Sequence, residues 1–465
     1  MPELPEVETV RRTLEPILVG KRIDHVDVFY SKIIKSDLAS FTSSLKGLKF
    51  IKIDRYGKFL VFFFDNDLAM VSHLRMEGKY RLEKGEGSKR KHDLAAFRLS
   101  SDETLFYNDV RKFGILCLLK KDELFVKEPL SKLGKEPFDM SEDELLSGLR
   151  KKKNAAIKEA LLDQSLISGI GNIYADEILI HSGINPLRKA SSITLEEAKR
   201  ILENARSILS LAISQGGSTV RSYHPSEGKD GKMQLSLWAY GRENKPCPIC
   251  GLRLKKIRVG GRGTTYCPHC EPSFDKPYIV GVTGPIASGK STVSKYLESK
   301  GYHRLDADAM VASLYMKKSF QRKLASLFGK DIIKNDEIDR KTLLDLLSSS
   351  EENKKKLDDL VHPLIYSEIE KEIEKTKEKK IVLDVPLLID SPLEPFCDAI
   401  VLVYAEKDIQ RKRIIERGKD PEKSLTLNSS FPLEKAKLKA SLVIKTDESP
   451  ITETLKKIDD CKFLD

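Results

Sequence analysis

The amino-terminal hexapeptide Met1-Pro2-Glu3-Leu4-Pro5-Glu6 combines residue types that could do chemistry. Removal of Met1 would give Pro2 a terminal amine with a pKa of about 8, against about 10.4 for lysine. Part of that amine is therefore neutral at cellular pH, and its attack on an aldehyde-like carbon would form an iminium, an electron sink. Glu3 could protonate an oxygen or hold the cation. For Met-Pro alone, a processed terminus without chemistry is the simpler interpretation.

A second reactive stretch is Gly284-Pro285-Ile286-Ala287-Ser288-Gly289-Lys290-Ser291. It lies between an apolar strand predicted at 278–282 and a helix predicted at 292–300, which is the context of a phosphate loop. Backbone amides and the helix N-terminus attract phosphates, Lys290 bridges the outer ones, and Ser291 reaches magnesium. The stretch therefore predicts a binding site for ATP with Mg²⁺.

A carboxylate pair, Asp306 and Asp308, follows the next expected strand. Open parallel sheets bind ligands at the carboxyl ends of their strands, so one of the two could act as the base for a hydroxyl nucleophile. Capping of a helix explains the pair equally well.

Four of the seven cysteines form two Cys-x-x-Cys pairs separated by sixteen residues, which are Cys247, Cys250, Cys267 and Cys270. This spacing predicts a zinc ribbon with one Zn²⁺ per chain. Four thiolates leave no open coordination position, so the metal would be structural. The basic run between the pairs, 253–262, would form a hairpin stiffened against a phosphate backbone.

Length and charge bound the class of protein. A chain of 465 residues exceeds what one core usually supports, so at least two domains are expected. The net charge of +11 and the pI near 9.0 favour a polyanionic partner, with nucleic acid the leading candidate. The chain has no apolar run that would span a bilayer and no signal pattern at its start, so we expect a cytoplasmic protein without a membrane partner.

The first 272 residues change from strand patterns to helix patterns. Strand-like runs are predicted at 22–29, 50–53, 59–64, 68–74 and 95–99, which indicates an antiparallel assembly. From 141 to 215 the apolar spacing is helical. Polar, glycine-rich segments at 215–219 and 226–231 suggest a mobile loop able to close over something small.

Three features of this part have both a functional and a plain interpretation. Lys58 directly precedes the 59–64 run, which could hold its ammonium, although a surface lysine is simpler. Gly169 and Gly171 could expose amides to a phosphate or form an ordinary turn between helices. Arg111 and Phe113 have the composition needed to neutralise phosphate and enter a base stack, but a single heptapeptide is weak support.

After a linker at 271–277, a new pattern begins. Strands predicted at 278–282, 381–385 and 399–404 alternate with charged helices such as 367–380. This alternation predicts a parallel sheet with helices on both faces, an α/β fold.

Residues 1–272 resemble the bacterial formamidopyrimidine-DNA glycosylases, bifunctional glycosylase/lyases that excise oxidised purines. The resemblance rests on the first six residues, the Gly-Ile-Gly-Asn-Ile-Tyr-Ala-Asp-Glu turn, Tyr240-Gly241-Arg242 and the cysteine ribbon, all in the family's order. Leu4 differs from the glycine usual in the sister endonuclease VIII group. The family implies a β-sandwich, a helix-two-turn-helix domain and a zinc ribbon that act on damaged double-stranded DNA carrying 8-oxoguanine or formamidopyrimidines.

The same resemblance implies roles for individual residues. Pro2 would attack the anomeric carbon, with Glu3 as proton donor, while Lys58 aids β-elimination and Arg262 aids δ-elimination. Extruding a base costs a few kcal/mol, which wedge residues and phosphate clamps offset. By the resemblance, the wedge that fills the void comprises Met76, Arg111 and Phe113, and the DNA contacts comprise His92, Arg111, Lys153 and Asn172.

The second part resembles dephospho-CoA kinase, which moves the ATP γ-phosphoryl group to the ribose 3′-hydroxyl of dephospho-CoA, the last step of coenzyme A biosynthesis. The matching motifs are the phosphate loop, Leu-Asp-Ala-Asp at 305–308, Ile-Asp-Arg at 338–340, Val-His-Pro-Leu at 361–364 and Asp-Val-Pro-Leu-Leu at 384–388, with Gln410, Arg413 and Arg417. By this likeness Asp308 would be the base and Arg413 a phosphate clamp, and ATP would bind Gly284, Gly289, Lys290 and Ser291.

This part also departs from its family. Pro285 and Ala287 stand where glycine is usual, and Thr426, Ser430 and Ser441 replace the usual Arg, Gln and Asp. ATP binding is therefore better supported than turnover.

We expect four domains: a catalytic β-sandwich at 1–130, a helix-two-turn-helix domain at 131–245, a zinc finger at 246–271 and a phosphate-loop kinase domain at 276–465. Two functions compete for this monomeric chain. One is a fused glycosylase/lyase and kinase. The other is a DNA repair module with a degenerate nucleotide-binding appendage.

Overall fold

The computed structural model describes residues 1–218, 233–335, 337–427, 431–447 and 450–465. The loop predicted at 226–231 and the substitution at Ser430 lie outside these residues. The chain divides into two compact units, Met1–Lys245 with Leu254–Cys267, and Pro246–Arg253 with Pro268–Asp465.

The amino-terminal unit begins with two four-stranded antiparallel sheets whose side chains share one core. Their strands are β1 (Ile23–Val28), β2 (Phe50–Tyr56), β3 (Phe59–Phe64), β4 (Leu68–His73), β5 (Lys79–Lys84), β6 (Asp93–Leu99), β7 (Glu103–Asn108) and β8 (Ile115–Lys120). One sheet has the order β1-β6-β7-β5 and the other β2-β3-β4-β8. Phe62 of one sheet meets Tyr80 of the other edge-to-face at 5.5 Å. The predicted β-sandwich is confirmed.

Two helices, α1 (Leu4–Leu18) and α2 (Leu38–Leu45), cover this sandwich. Val7, Val10 and Leu14 lie at helical spacing and bury one face of α1 in the core. The helix begins at Leu4 because Glu3 and Glu6 form a capping box, in which the Glu3 amide donates to Glu6 Oε2 at 2.9 Å.

A helical region follows, with a core of its own. Its helices are α3 (Glu142–Lys151), α4 (Ile157–Leu162), α5 (Asn172–Ser182) and α6 (Leu195–Ser214). Ser141 and Thr194 cap α3 and α6 with side chains that accept from backbone amides. The unit ends in an antiparallel hairpin, β9 (Lys255–Val259) and β10 (Arg262–Tyr266), which turns at Gly260 and Gly261 with φ of +54° and +74°.

The carboxyl-terminal unit is a five-stranded parallel sheet flanked by helices. Its strand order is β12-β15-β11-β16-β17. The elements are β11 (Tyr278–Thr283), α7 (Lys290–Ser299), β12 (His303–Asp306), α8 (Ala307–Met316), α9 (Lys318–Phe328), β13 (Ile333–Lys334), β14 (Glu337–Ile338), α10 (Arg340–Ser348), α11 (Glu351–Lys375), β15 (Lys380–Asp384), β16 (Ala399–Tyr404), α12 (Lys407–Glu416), α13 (Pro421–Leu427), α14 (Leu433–Lys439), β17 (Leu442–Lys445) and α15 (Ile451–Asp459). The predicted α/β fold is confirmed.

One helix boundary in this unit was predicted wrongly. The helix expected at 367–380 runs instead as α11 from Glu351 to Lys375. Its start was missed because Pro363 lies inside it, and proline normally marks a helix end. Its end was overestimated because Lys380 already belongs to β15.

None of the described helices is both long enough and apolar enough to cross a bilayer.

Candidate active sites of the two units

Glu3 is bound at the amino end of α5. Its carboxylate accepts hydrogen bonds from the amides of Gly171 at 2.7 Å and Ile173 at 2.9 Å, and Glu3 is only 2% exposed. A Cβ at Gly171 would lie 2.2 Å from Glu3 Cδ, so this close approach requires glycine. The N-terminus of a helix stabilises negative charge. In this structure the amides after Gly169 therefore bind a carboxylate of the chain.

Glu6 is a second buried carboxylate, which the sequence analysis did not select. Its Oε1 accepts from the Tyr174 hydroxyl and the Ser218 amide, both at 2.7 Å. Burial raises its pKa, and the charge of Glu3 adds to this rise. Its place in the capping box explains why sequence reasoning missed it, since a helix cap already accounts for a glutamate there.

Lys58 is buried directly after the turn at Gly57, whose φ is +56°. Its Nζ donates to the Ile170 carbonyl at 2.8 Å, next to the Glu3 site. Burial lowers the pKa of Lys58, while the charges of Glu3 and Glu6 oppose that shift. The interpretation as a surface lysine is therefore wrong, because only 4% of the residue is exposed.

The amino terminus lies in the same electrostatic environment. Pro2 is buried, and Met1 precedes it with 40% exposure. Burial lowers the pKa of the Met1 amine, an effect that the charges of Glu3 and Glu6 oppose and those of Lys58 and Arg111 reinforce. Two nitrogen bases with lowered pKa values therefore accompany two buried carboxylates.

The hairpin that carries Arg262 is anchored by a buried ion pair. Lys158 Nζ lies 2.6 Å from Asp176 Oδ1 and donates to the Gly263 carbonyl at 3.1 Å. Asp176 in turn accepts from the Thr265 amide at 3.1 Å. Burial raises the pKa of Asp176 and lowers that of Lys158, and the attraction between them opposes both shifts. Arg262 itself is exposed at the start of β10.

Asn172 is partly buried, whereas Lys153 is exposed. Asn172 begins α5 and donates from Nδ2 to the Gly263 carbonyl at 3.1 Å, so it also holds the hairpin. Lys153 is exposed in the segment between α3 and α4. Its ammonium is therefore accessible, as a phosphate contact requires.

A buried aspartate shapes the loop that bears Arg111 and Phe113. Asp109 accepts from the amides of Arg111 at 2.9 Å and of Phe113 and Gly114 at 2.8 Å each. The Phe113 side chain remains 55% exposed, with the Arg111 guanidinium 5.0 Å from its ring centroid. The Asp109 amide donates to the His92 carbonyl at 3.0 Å, which brings His92 beside this loop.

The loop with Met76 is shaped by a neutral histidine. His73 Nδ1 accepts from the Arg75 amide at 2.9 Å, and its ring packs edge-to-face on Phe59 at 4.5 Å. Burial lowers the pKa of His73 to about 3, so the ring stays neutral and able to accept. Met76 is half-buried and directly follows Arg75.

The four predicted metal ligands converge. The sulfur atoms of Cys247, Cys250, Cys267 and Cys270 all lie within 4.8 Å of one another. Cys247 and Cys270 are 3.9 Å apart, close to the edge of about 3.8 Å expected for tetrahedral Zn²⁺ with Zn–S bonds of about 2.3 Å. An all-thiolate set of this size fits structural zinc.

The predicted phosphate loop joins β11 to α7. Gly289 precedes α7 with φ of +93°, and Lys290 and Ser291 form its first turn. A Cβ at Gly284 would lie 1.9 Å from the Val403 carbonyl oxygen. The buried Ser288 Oγ has no hydrogen-bond partner among the described residues. A tight glycine turn at a helix N-terminus fits the phosphates of ATP, with Ser291 placed to reach Mg²⁺.

Lys290 is paired with a buried carboxylate. Its Nζ contacts Asp384 Oδ1, and the Ser294 hydroxyl and Arg304 Nη2 donate to Asp384 Oδ2 at 2.5 Å and 2.7 Å. Burial alone would raise the pKa of Asp384, but these partners lower it, with Lys290 the largest. Sequence reasoning placed Asp384 in a motif without a role and did not select Arg304.

Asp308 lies in the first turn of α8, at the edge of an apolar cavity of about 230 Å³. Burial raises its pKa, and Lys290 opposes the rise. Asp306, two residues earlier, caps α8 by accepting from the Ala309 amide at 3.1 Å. Asp306 therefore has the capping role, and a catalytic role of Asp308 stays a prediction. The other residues that line the cavity are Val311, Ala312, Tyr315, Leu343, Leu344 and Leu347.

Arg413 braces the phosphate loop. Its guanidinium donates to the Ala287 carbonyl at 3.2 Å and to Thr446 Oγ1 at 3.0 Å. Ala287 has φ of +57°, an uncommon conformation for a residue with a side chain. This contact stabilises the loop at the position where the chain departs from glycine. A clamp on phosphate stays a prediction.

Family models match four parts of the chain. The formamidopyrimidine-DNA glycosylase N-terminal domain matches residues 1–116, and the corresponding H2TH domain matches residues 133–224. The zinc finger found in FPG and IleRS matches residues 244–272, and dephospho-CoA kinase matches residues 278–451. All the predicted site residues lie within these matches, whereas the Tyr240-Gly241-Arg242 motif lies between two of them.

Relatives and solved structures match the amino-terminal part. A formamidopyrimidine-DNA glycosylase of Lactobacillus helveticus is 46% identical over 274 residues, which are 58% of this chain and 99% of that protein. One of Bacillus cereus is 48% identical over 275 residues, with the same coverage. A crystal structure of a Lactococcus lactis FPG mutant complexed with Fapy-dG DNA is 39% identical, with a TM-score of 0.55 over 58% of this chain and 100% of that one. The chain therefore belongs to the formamidopyrimidine-DNA glycosylase family through its amino-terminal part, and a dephospho-CoA kinase domain follows in the same polypeptide.

Proposed function

We propose that the chain is a bifunctional enzyme that excises oxidised purines from damaged double-stranded DNA, cleaves the resulting site, and separately phosphorylates dephospho-CoA with ATP. The observation that carries the first activity is the meeting of Glu3 and Lys58 at residues 170–173, next in sequence to the buried Pro2. A base, an acid and a nitrogen nucleophile are what glycosidic cleavage through an iminium requires.

In the proposed reaction, the freed nitrogen of Pro2 bonds to the anomeric carbon as the bond to the base breaks. The base leaves with the bonding electrons, and Glu3, having taken the proton that Pro2 loses, passes it to the ring oxygen of the opening sugar. Lys58, whose pKa burial lowers, then takes the proton next to the iminium, and the 3′ phosphate leaves. Arg262 assists loss of the 5′ phosphate.

The wedge and the phosphate contacts complete this proposal. Met76, Arg111 and Phe113 would fill the void left by the extruded nucleotide, since Phe113 is exposed on a loop that Asp109 holds rigid. His92, Lys153 and Asn172 would contact the backbone. The related structures whose titles name Fapy-dG and 8-oxo-G DNA support this substrate class.

Borohydride trapping on a duplex with one oxidised purine tests the nucleophile. Pro2→Gly should abolish or sharply weaken the trapped complex, while Pro16→Gly, the same change at an exposed position of α1, should trap normally. An uncleaved amino-terminal extension, which blocks the amine and changes no side chain, should also abolish trapping. Unchanged trapping in either of the two terminal variants would refute the role of Pro2.

For the kinase we propose that Lys290 and Ser291 bind ATP with Mg²⁺ and that Asp308 takes the proton of the acceptor hydroxyl. Mg²⁺, when bound, would neutralise charge on the phosphates. Coupled ADP release with dephospho-CoA tests this activity, and Lys290→Ala should lose it while Lys295→Ala, on the exposed side of α7, should keep it. Background activity in the wild type would favour the degenerate, nucleotide-binding alternative.

The domain limits 1–130, 131–245, 246–271 and 276–465 belong to this proposal, as do a monomeric state and a cytoplasmic location. Sedimentation of the full chain at micromolar concentration would test the monomer. A dimer with residues of both copies in one site would contradict it.

A further inference from the structure

Arg304 lies inside the carboxylate cluster of the carboxyl-terminal unit, outside every motif that the sequence analysis used. Its Nη2 and Nε donate to Asp384 Oδ2 at 2.7 Å and 3.2 Å, and its Nη2 also contacts Asp306. The Arg304 side chain is 12% exposed and that of Asp384 is 1% exposed. These are buried, charge-assisted hydrogen bonds, which are stronger than those between neutral groups.

The parallel sheet places these groups together. Asp306 at the end of β12 is paired in register with Asp384 at the end of β15. Arg304 is two residues before Asp306 and therefore points to the same face of the sheet. On the facing helix α7, Lys290 and Ser294 are one turn apart, and both reach Asp384.

Asp384 is thus shared between two cations of different origin. Lys290 comes from the phosphate loop and occupies Oδ1, while Arg304 comes from the sheet and occupies Oδ2. Under the proposed kinase function, on which this inference rests, Lys290 has to leave Asp384 to reach the outer phosphates of ATP. A buried carboxylate left without a cation is strongly disfavoured.

We propose that Arg304 is a positioning residue that keeps Asp384 paired when Lys290 moves to the phosphates, and that it thereby sets the affinity for ATP. Without Arg304, Lys290 is the remaining cation in contact with Asp384 among the described residues, and it is held back from the nucleotide. Arg304 acts through Lys290 and does not touch the reacting atoms.

The test is Arg304→Met in the full chain, with ATP affinity measured by equilibrium binding and KM and kcat by ADP release. We expect ATP binding to weaken and KM for ATP to rise by roughly tenfold, within the usual range for coupled sites, while kcat stays close to that of the wild type. Arg322→Met, the same change at an exposed position of α9, is the matched control and should alter neither quantity.

A double variant separates this role from misfolding. Adding Asp384→Asn to Arg304→Met removes the buried carboxylate charge. Lys290 is then no longer held by an ion pair at position 384 and is free to move to the phosphates of ATP. ATP binding measured with a chelator, which removes any magnesium contribution of Asp384, should then recover towards the wild-type value. Arg304→Lys, which keeps the charge, should bind ATP more tightly than Arg304→Met.

Three results would overturn the inference alone: unchanged ATP affinity in Arg304→Met, a loss of kcat at constant KM, or a double variant that binds ATP more weakly than the single one. Wild-type protein that binds no ATP, or binding that Lys290→Ala does not affect, would overturn the proposed kinase function and this inference together. The binding measurements on wild type and Lys290→Ala therefore distinguish the two failures.

Discussion

The two units bury their reactive lysines against different partners. Lys58 donates to the Ile170 carbonyl, with Glu3 and Glu6 acting on it only through space, whereas Lys290 is in contact with the Asp384 carboxylate. A buried ammonium without a direct counter-ion has a lowered pKa and readily becomes a base. The contact with Asp384 instead holds Lys290 at the phosphate loop, where its side chain can reach phosphates. The local partner therefore decides which chemistry a buried lysine can do.

The overall charge follows the same division. Residues 1–275 hold 46 Lys and Arg against 37 Asp and Glu, while residues 276–465 hold 35 against 33. The excess of positive charge, which favours a polyanionic partner, therefore lies in the first unit. This is the part of the chain that is similar to solved structures whose titles name DNA. The second unit is nearly neutral and buries two cations, Lys290 and Arg304, against Asp384. Long-range attraction suits a polymer of phosphates, and local pairing suits a single nucleotide.

The largest expected effect is on ADP release by the carboxyl-terminal unit. Lys290→Met should lower ADP release by roughly 10²-fold or more, because it removes a preorganised cation from the phosphates. Cleavage of oxidised-purine duplex by the same preparation should remain at the wild-type rate, which serves as the internal control. Loss of both activities would mean that the two units do not function separately.

A second prediction sharpens the glycosylase side. Lys58→Met should slow strand cleavage at a preformed abasic site by about 10²-fold, as expected for loss of a general base, and leave ADP release intact. The rate of the wild type should increase with pH through the pKa of Lys58, at lower pH than for a solvent-exposed lysine, because burial lowers that pKa. Lys52→Met, at an exposed lysine of β2, is the control. A pH profile that Lys58→Met leaves unchanged would contradict the assignment.

Removal of zinc should have a smaller effect. Cys267→Ser should reduce bound zinc from one per chain towards zero. Without zinc, the proposed contact of Arg262 with the DNA phosphate, worth about 1.5 kcal/mol, should be lost, and strand cleavage should slow roughly tenfold. Cys117→Ser, at a buried cysteine of β8, should keep its zinc. Full zinc occupancy in Cys267→Ser, measured by metal analysis, would refute the four-thiolate site.

The smallest effect concerns the neutral histidine of the first unit. The pKa of His73 is about 3 in the folded chain and about 6.5 when unfolded, so its neutral form stabilises the fold above pH 6.5 and this contribution is lost as the pH falls towards 3. The slope is at most about 1.4 kcal/mol per pH unit. His73→Gln should flatten the fall in melting temperature between pH 6.5 and 4, and exposed His25→Gln should not.

Tryptophan fluorescence isolates this signal. Trp238 is the single tryptophan and lies in the first unit, stacked on His181 at 3.8 Å, so its melting curve reports that unit in the full chain. A midpoint that depends on pH equally with and without His73 would contradict the prediction.

Local signals were the ones that sequence reasoning used successfully. The strand at Phe59–Phe64, the phosphate loop before α7 and the two cysteine pairs each depend on residues close in sequence. The contacts it missed join distant residues: Glu3 to Ile173 across 170 positions, Lys158 to Thr264 across 106 and Arg304 to Asp384 across 80. No local pattern encodes such pairs.

By itself, the sequence determined which residue types are available: a proline at position 2, four cysteines at zinc spacing, and a glycine loop before a helix. Each follows from a short run and from chemistry that the run carries wherever it folds. Only the tertiary structure decided what surrounds each reactive side chain, because those contacts join residues that are distant in the sequence. Lys58 donates to a backbone carbonyl and has a pKa lowered by burial, whereas Lys290 contacts the Asp384 carboxylate, so the same residue type has different surroundings in the two units.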